Sequence, residues 1–167
     1  MLRLRPYKPC DAETIVSWIP DEHAFYLWSA DRYGYYPITA ADMNRYYAND
    51  DRNPDFWPMT AFDESGVVGH LIMRFTDEEK KVLRFGFVIV DLSKRGKGYG
   101  KAMIQLAAKY AFEIAGAEKI TLGVFADNPA AYHCYLAAGF TEVPGAAETY
   151  RINGEDWECL ELEWNKE

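Results

Sequence analysis

Residues 90–103 read VDLSKRGKGYGKAM, with Gly96, Gly98 and Gly100 set among the cations Lys94, Arg95, Lys97 and Lys101. An apolar stretch precedes this segment and an amphipathic one follows it. A strand that runs through a glycine-rich turn into a helix presents backbone N–H groups with no partner inside the helix. The aligned peptide dipoles make those groups partly positive. Glycines also remove the side chains that would block a ligand's approach. A phosphate or pyrophosphate is the natural guest. The ordinary reading of a charge run is a solvated face. The threaded glycines argue for more than that.

Two nucleotide patterns fit badly. A Walker A loop, GxxxxGK[ST], needs one more residue than separates Gly96 from Gly100 and Lys101, and Ala102 stands where a hydroxyl would hold magnesium. A dinucleotide fingerprint, GxGxxG, fits Gly96 and Gly98 but meets Lys101 in its last place, midway along the chain.

A second constellation lies at 128–140, NPAAYHCYLAAGF. Asn128 reads as a helix N-cap, Pro129 as N1 and Gly139 as C′. Cys134 and His133 are not a nucleophile and base, because adjacent helical residues point about 100° apart. Tyr135 is either a core aromatic of this helix or a phenol placed for proton transfer. Asn128 is either a cap alone or also a ligand contact.

The elements that must position these residues follow from periodicity and turn residues. LRLRPY opens the chain as a strand, and CDAETIVSWI reads as a helix with Asp11 as N-cap. An aromatic-rich stretch follows, EHAFYLWSADRYGYYP. TAADMNRYYAND reads as a helix capped by Thr39 with Asp42 three residues on. Pro54 and Pro58 bracket a loop. MTAFDES and VVGHLIMRF form two strands joined at 64–66, and VLRFGFVIV is a strand covered on both faces. A helix from Gly100 to about Gly116, the strand KITLGVFA, the helix after Asn128 and a final hairpin turning at Asn153-Gly154 complete the order β-α-α-β-β-β-α-β-α-β-β. This is an α/β (α+β) domain with a central βαβ unit, and residues 1–167 read as a single domain.

The bounds agree. At 167 residues the chain can bury one sizeable core. Its net charge of −8 disfavours nucleic acid as a partner and mildly favours a cationic acceptor. No apolar run reaches the roughly 18 residues of a membrane span, so no membrane association is expected. MLRLRPYKPC has cations and no long apolar stretch, so no secretory signal is expected. Three scattered cysteines and three histidines in no ligand spacing predict neither a disulfide framework nor a metal site, and a reduced, cytoplasmic setting.

Both constellations resemble one family. Arg95–Gly100, RGKGYG, is similar to the (Q/R)-x-x-G-x-(G/A) motif of the GCN5-related N-acetyltransferase (GNAT) superfamily. Asn128, Ala131, Tyr135, Gly139 and Phe140 match its N-x-x-A-x-x-x-Y-x-x-x-GF segment. The resemblance covers roughly 80–143 strongly, and the flanks by element order.

It implies a mostly antiparallel twisted sheet with a central coenzyme A-binding βαβ unit and flanking helices. Acetyl-CoA would be the acetyl donor, with no metal. The turn Arg95, Gly96, Lys97, Gly98, Tyr99, Gly100 and Lys101 would hold its pyrophosphate. Val88, Ile89 and Val90 would pair with the pantetheine arm, and the N–H of Ile89 or Val90 would polarise the thioester. Asn128 would contact the cofactor, and Tyr135 would protonate the departing sulfur as general acid. The acceptor would be a small-molecule amine or a protein N-terminal amine, attacking directly in a ternary complex formed by a monomer or homodimer. Trp28, Tyr33 and Tyr36 are the candidate acceptor-binding residues. The family's usual glutamates do not transfer, because Arg84 and Gly123 stand in their places, which leaves water relayed through the splayed strands, or a carboxylate of the aromatic segment such as Glu22 or Asp31. The alternative is a domain that binds acyl-CoA without catalysis.

Overall fold

The structure, a computed structural model, describes residues 1–50 and 53–167. The strands are β1 (Arg3–Pro6), β2 (Phe56–Asp63), β3 (Gly66–Phe75), β4 (Val82–Val90), β5 (Lys119–Phe125), β6 (Thr141–Glu142), β7 (Glu148–Ile152) and β8 (Glu155–Asn165). The helices are α1 (Ala12–Val16), α2 (Glu22–Ser29), α3 (Ala40–Asp50), α4 (Tyr99–Glu113) and α5 (Pro129–Ala138). One sheet runs β1-β2-β3-β4-β5-β8-β6, with β7 paired to β8. Every pairing is antiparallel except β4 with β5. This is the expected mixed, mostly antiparallel sheet.

Helices cover both faces. On one, Met103, Ile104 and Ala107 of α4 pack with Leu83, Phe85, Ile120 and Leu122. On the other, Ile15, Trp18, Met43 and Tyr47 pack against Ile72, Phe87 and Ile89. A further cluster on Phe25, Tyr26, Ile38 and Phe125 joins α2 to the sheet.

Local chemistry explains where the elements depart from expectation. The aromatic-rich stretch contains an additional helix, α2, because Asp21 caps it by accepting the Ala24 N–H at 2.8 Å. Pro58 lies inside β2, not in a loop. Its carbonyl accepts the Tyr7 N–H at 2.9 Å just past the end of β1, so its missing donor falls where the ladder with β1 has stopped. The two-residue β6 was not anticipated. The box at α3 is as expected: the Asp42 N–H donates to Thr39 Oγ1 and the Thr39 N–H to Asp42 Oδ2. Asn153 and Gly154 both have positive φ, 49° and 79°, as a type I′ turn requires.

Asp11 does not cap α1. It is 2% exposed, and its carboxylate receives both Nη atoms of Arg5 at 2.8 Å, the Lys8 N–H at 2.9 Å and Thr60 Oγ1 at 2.8 Å. Burial works to raise its pKa, but the bonds from Arg5, Lys8 and Thr60 outweigh it and hold the group below the ordinary carboxylate value. Asp11→Ala is expected to cost about 3 kcal/mol in chemical denaturation, the low end for a broken buried pair because Arg5 keeps 24% exposure. Because the folded pKa is depressed, the contribution is present above the unfolded value of about 3.9 and is lost as pH falls through the folded one. The stability difference between wild type and variant should therefore shrink in acid and be constant near neutrality.

Candidate active site

The site is a gap in the sheet. β4 and β5 pair at Val82↔Lys119, Leu83↔Ile120 and Arg84↔Thr121, then separate. A bulge in β4 accompanies the separation. Ile72 opposes Gly86 and His70 opposes Ile89, so Phe87 and Val88 together face Leu71. Phe87 has φ 47°, the left-handed region a phenylalanine rarely enters. Such a bulge bends and twists its strand. The opened edge borders a cleft of about 630 Å³.

One end of the cleft is the start of α4. Gly98 is its N-cap, with φ 86° and no side chain to accept a bond. The helical ladder begins with the Ala102 N–H donating to the Gly98 carbonyl at 3.0 Å. The N–H groups of Tyr99, Gly100 and Lys101 therefore have no acceptor within the helix. Arg95, Gly96, Gly98, Gly100 and Lys101 line this end. Lys97 is exposed and does not line it. The Tyr99 hydroxyl donates to Asp63 Oδ2 at 2.7 Å, and Lys94 sits 5.6 Å over the Tyr99 ring. Neither the Lys97 nor the Tyr99 side chain lines the cleft. The residues present suit an anion with several oxygens.

The middle is the free edge of β4. The Asp91 N–H donates to the Val68 carbonyl at 2.8 Å, and Ile89 faces His70. Antiparallel ladders alternate, so the Ile89 N–H also turns to β3 and the Val90 N–H turns into the gap. Arg95 Nε donates to the Val90 carbonyl at 3.2 Å from the gap side. Of the two donors expected at the thioester, Val90 is the one whose N–H faces the gap.

The far wall is α5. Asn128 caps it, its Oδ1 accepting the Ala131 N–H at 3.3 Å, and also borders the cleft. Tyr135 is 7% exposed, packs edge-on against Phe140 at 6.2 Å and lines the cleft. Its hydroxyl has no hydrogen-bond partner among the described residues. Burial raises its pKa, so the phenol is protonated at neutral pH. Burial likewise raises the Cys134 thiol, which is therefore no thiolate nucleophile.

The open side is walled by Trp18, Ile19, Pro20, Ala24, Leu27 and Trp28, from α2 and the turn that leads into it from α1. Trp28 is part of this wall. Tyr33 and Tyr36 stand behind it: Tyr33 stacks on Trp28 at 6.0 Å, and Tyr36 packs on Phe25 at 5.3 Å. No carboxylate lines the cleft among the described residues. Glu22 accepts from Asn153 Nδ2 at 3.1 Å, and Asp31 is exposed; neither borders the cleft.

Sequence reasoning missed one feature. Beside the cleft, and sharing its walls at Leu27, Trp28, Phe85, Gly86, Phe87 and Gly123, lies a pocket of about 80 Å³ that also takes in Arg32, Arg74 and Arg84. Arg84 is held by Glu161 Oε1 at 2.6 Å and Thr121 Oγ1 at 3.2 Å. Gly123 makes room for it, since a Cβ there would lie 3.0 Å from Arg84 Nη2 and 2.9 Å from Cys159 Sγ. The signal was the pairing of two strands, which no single stretch of sequence displays. Among the described residues, no group of three or more His, Cys, Asp or Glu could hold a metal ion.

The profile of the acetyltransferase (GNAT) family matches residues 17–140. A spermidine N(1)-acetyltransferase of Vibrio cholerae is 37% identical over 67 residues, 40% of this chain and 39% of that protein. The catalytic subunit ard1 of the N-terminal acetyltransferase A complex of Schizosaccharomyces pombe is 30% identical over 107 residues, 60% of each chain. The matched segments thus span less than two thirds of either relative. The crystal structure of spermidine N-acetyltransferase from V. cholerae in complex with CoA and spermine superposes with a TM-score of 0.81 at 21% identity, covering 98% of this chain and 95% of that one.

Proposed function

The chain belongs to the acetyltransferase (GNAT) family, and from that premise we propose that it transfers the acetyl group of acetyl-CoA to a primary amine, by direct attack in a ternary complex. The observation that carries this reading is the gap between β4 and β5, with an uncapped helix N-terminus at one end and a buried, protonated phenol on its wall.

Each chain group has a role. The N–H groups of residues 99–101, with Arg95 and Lys101, receive the pyrophosphate of the donor substrate. The Val88–Val90 edge takes the pantetheine arm as an added strand. The Asn128 side-chain oxygen is engaged by the Ala131 N–H, so its amide nitrogen makes the donor contact. The Val90 N–H polarises the thioester carbonyl and stabilises the oxyanion that forms as the amine adds. As the C–S bond breaks, Tyr135 gives its proton to the sulfur and recovers one from solvent. The new C–N bond releases the amine proton to water. The relatives are named for spermidine in one case and for protein N-termini in the other, and both acceptors present a primary amine.

The direct test is thiol release on mixing the protein with acetyl-CoA and a set of amines, alongside thermal shifts with acetyl-CoA, ATP and NAD. Stabilisation by acetyl-CoA alone, with thiol release, is the expected result. Stabilisation without release by any amine would instead indicate an acyl-CoA-binding domain.

A cleft without a carboxylate predicts the pH dependence. An alkylammonium has a pKa near roughly 10, so about one molecule in a thousand is nucleophilic at neutral pH. With no carboxylate base on the lining, activity on an alkylamine should climb steadily from about pH 6 to pH 9. A peptide α-amine, with a pKa of about 8, should shift the curve down correspondingly. A plateau near pH 7 that ignores the acceptor would reveal a base after all.

A further inference from the structure

Arg74 and Arg84 are direct cross-strand partners in β3 and β4. Residues opposed in an antiparallel pair have Cα atoms about 4.5–5.5 Å apart. Both side chains leave the sheet on the α1–α3 side, because their neighbours Met73, Leu83 and Phe85 fill the α4 side. Like charges set directly opposite each other destabilise a sheet. Arg32, from the segment after α2, reaches the same pocket and lies 5.7 Å over the Phe87 ring. Only Arg84 has a carboxylate partner, Glu161. Among the described residues no acid pairs with Arg32 or Arg74. Glu148 and Asp31, the acids nearest in the sheet register and in the chain, are exposed and bond to none of the three. The indole N–H of Trp28, on the wall common to pocket and cleft, also lacks an acceptor there. This is a concentration of cations and donors in a protein whose net charge is −8.

We propose that the acceptor carries an anionic group, a carboxylate or a phosphate, and that Arg32, Arg74 and Arg84 seat it while the amine enters the cleft beside Trp28. The inference rests on the acetyl-transfer reading and narrows its acceptor. A pocket of about 80 Å³ suits an oxyanion headgroup, given that a water occupies roughly 30 Å³ in the liquid. Guanidinium forks match carboxylate and phosphate geometry. Arg84 is already oriented by Glu161 and Thr121, so it does not need ordering when the anion arrives. Burial, and then the charges of Arg32 and Arg84, push the Arg74 pKa below its ordinary value, which an anion would relieve. A polyamine would meet the same cations as repulsion. The spermidine enzymes share the fold at 21% identity, and a fold does not fix the acceptor.

The test titrates protein saturated with coenzyme A by calorimetry. Glycine, β-alanine and 4-aminobutyrate supply a carboxylate at three spacings, aminomethylphosphonate a phosphonate, propylamine an uncharged tail and spermidine a polycation. At least one acid-bearing amine should bind about 10- to 100-fold more tightly than propylamine. Arg74→Gln should erase that preference. Arg32→Gln, at an exposed position that cannot unfold the protein, should reduce it severalfold. The inference is overturned if spermidine or propylamine binds as tightly as every acid-bearing amine, if none of those amines binds, or if the preference survives both substitutions. Thiol release from acetyl-CoA, measured in parallel, keeps the two readings apart. Turnover of spermidine alone sinks the anionic acceptor and leaves acetyl transfer standing. Selective binding without release does the reverse.

Discussion

Gly98→Asp should abolish coenzyme A binding in a protein that still folds. Gly98 is the N-cap of α4 with φ 86°, and nothing lies within 4 Å of the Cβ a substitution would add. The fold therefore meets no clash. It bears only the strain of a left-handed residue, about 1–2 kcal/mol, and aspartate tolerates that conformation better than most. The ligand site fares worse. A carboxylate beside the open N–H groups of residues 99–101 competes for the donors that would hold a phosphate. It also repels the phosphate: at 4–6 Å and an effective dielectric near 20, each pair of unit charges opposes binding by about 3–4 kcal/mol. That is a loss of more than about 100-fold in affinity. Calorimetry against coenzyme A, with a melting curve to certify the fold, measures both halves. Gly98→Ala carries the strain without the charge and should fall between wild type and Gly98→Asp. Unchanged affinity in the aspartate variant would remove the pyrophosphate from this turn.

Tyr135→Phe should lower kcat by about 10- to 1,000-fold and leave acetyl-CoA affinity nearly intact. The ring keeps its edge-on contact with Phe140, and the hydroxyl has no hydrogen-bond partner among the described residues to leave stranded. The variant should fold as wild type does. On the proposed mechanism, what it lacks is the proton for the departing sulfur. General acid catalysis is worth about 100- to 10,000-fold. The lower range applies here because a thiol, with a pKa of about 8.5, already leaves more readily than an amine would. Single-turnover acetyl transfer isolates the chemical step from product release. Wild-type single-turnover rates in the variant would return Tyr135 to the role of a packed aromatic.

The parts of this site visible in the sequence are those coded within one short stretch. The glycine turn is legible because only glycines and a following helix make such a turn. The Asn128–Phe140 segment is legible because cap, proline, tyrosine and terminal glycine fall at fixed offsets along one helix. The rest depends on how strands pair. VLRFGFVIV is apolar from end to end apart from Arg84, so no alternation marks the extra residue at Phe87. The convergence of Arg74 and Arg84 follows from the register between two strands, and each alone reads as an ordinary charge. EHAFYLWS hides α2 because its apolar residues surround the helix, leaving no polar stripe to reveal the period. Tyr33 and Tyr36 could not be told from Trp28 by composition, since all three belong to one aromatic mass and only its outer layer meets the cleft.

The bulge in β4 also bears on how such a site can change over generations. Between matched ends, β3 runs from Gly69 to Ile72 while β4 runs from Gly86 to Val90, one residue longer. Leave out Phe87 and the remaining residues still oppose the same partners, with side chains on the same faces. Nothing in the ladder with β3 would object. What would go is the bend that holds β4 away from β5, and two apolar parallel strands would be free to zip together over the gap. The gap is therefore written in chain length. A substitution at Phe87 alters the aromatic mass behind Trp28 but keeps the count, whereas the loss of one codon removes the opening itself. The arginine pocket lies on the opposite footing. Arg32, Arg74 and Arg84 can each be exchanged by point mutation without touching that count, so the pocket can drift while the gap is inherited unchanged.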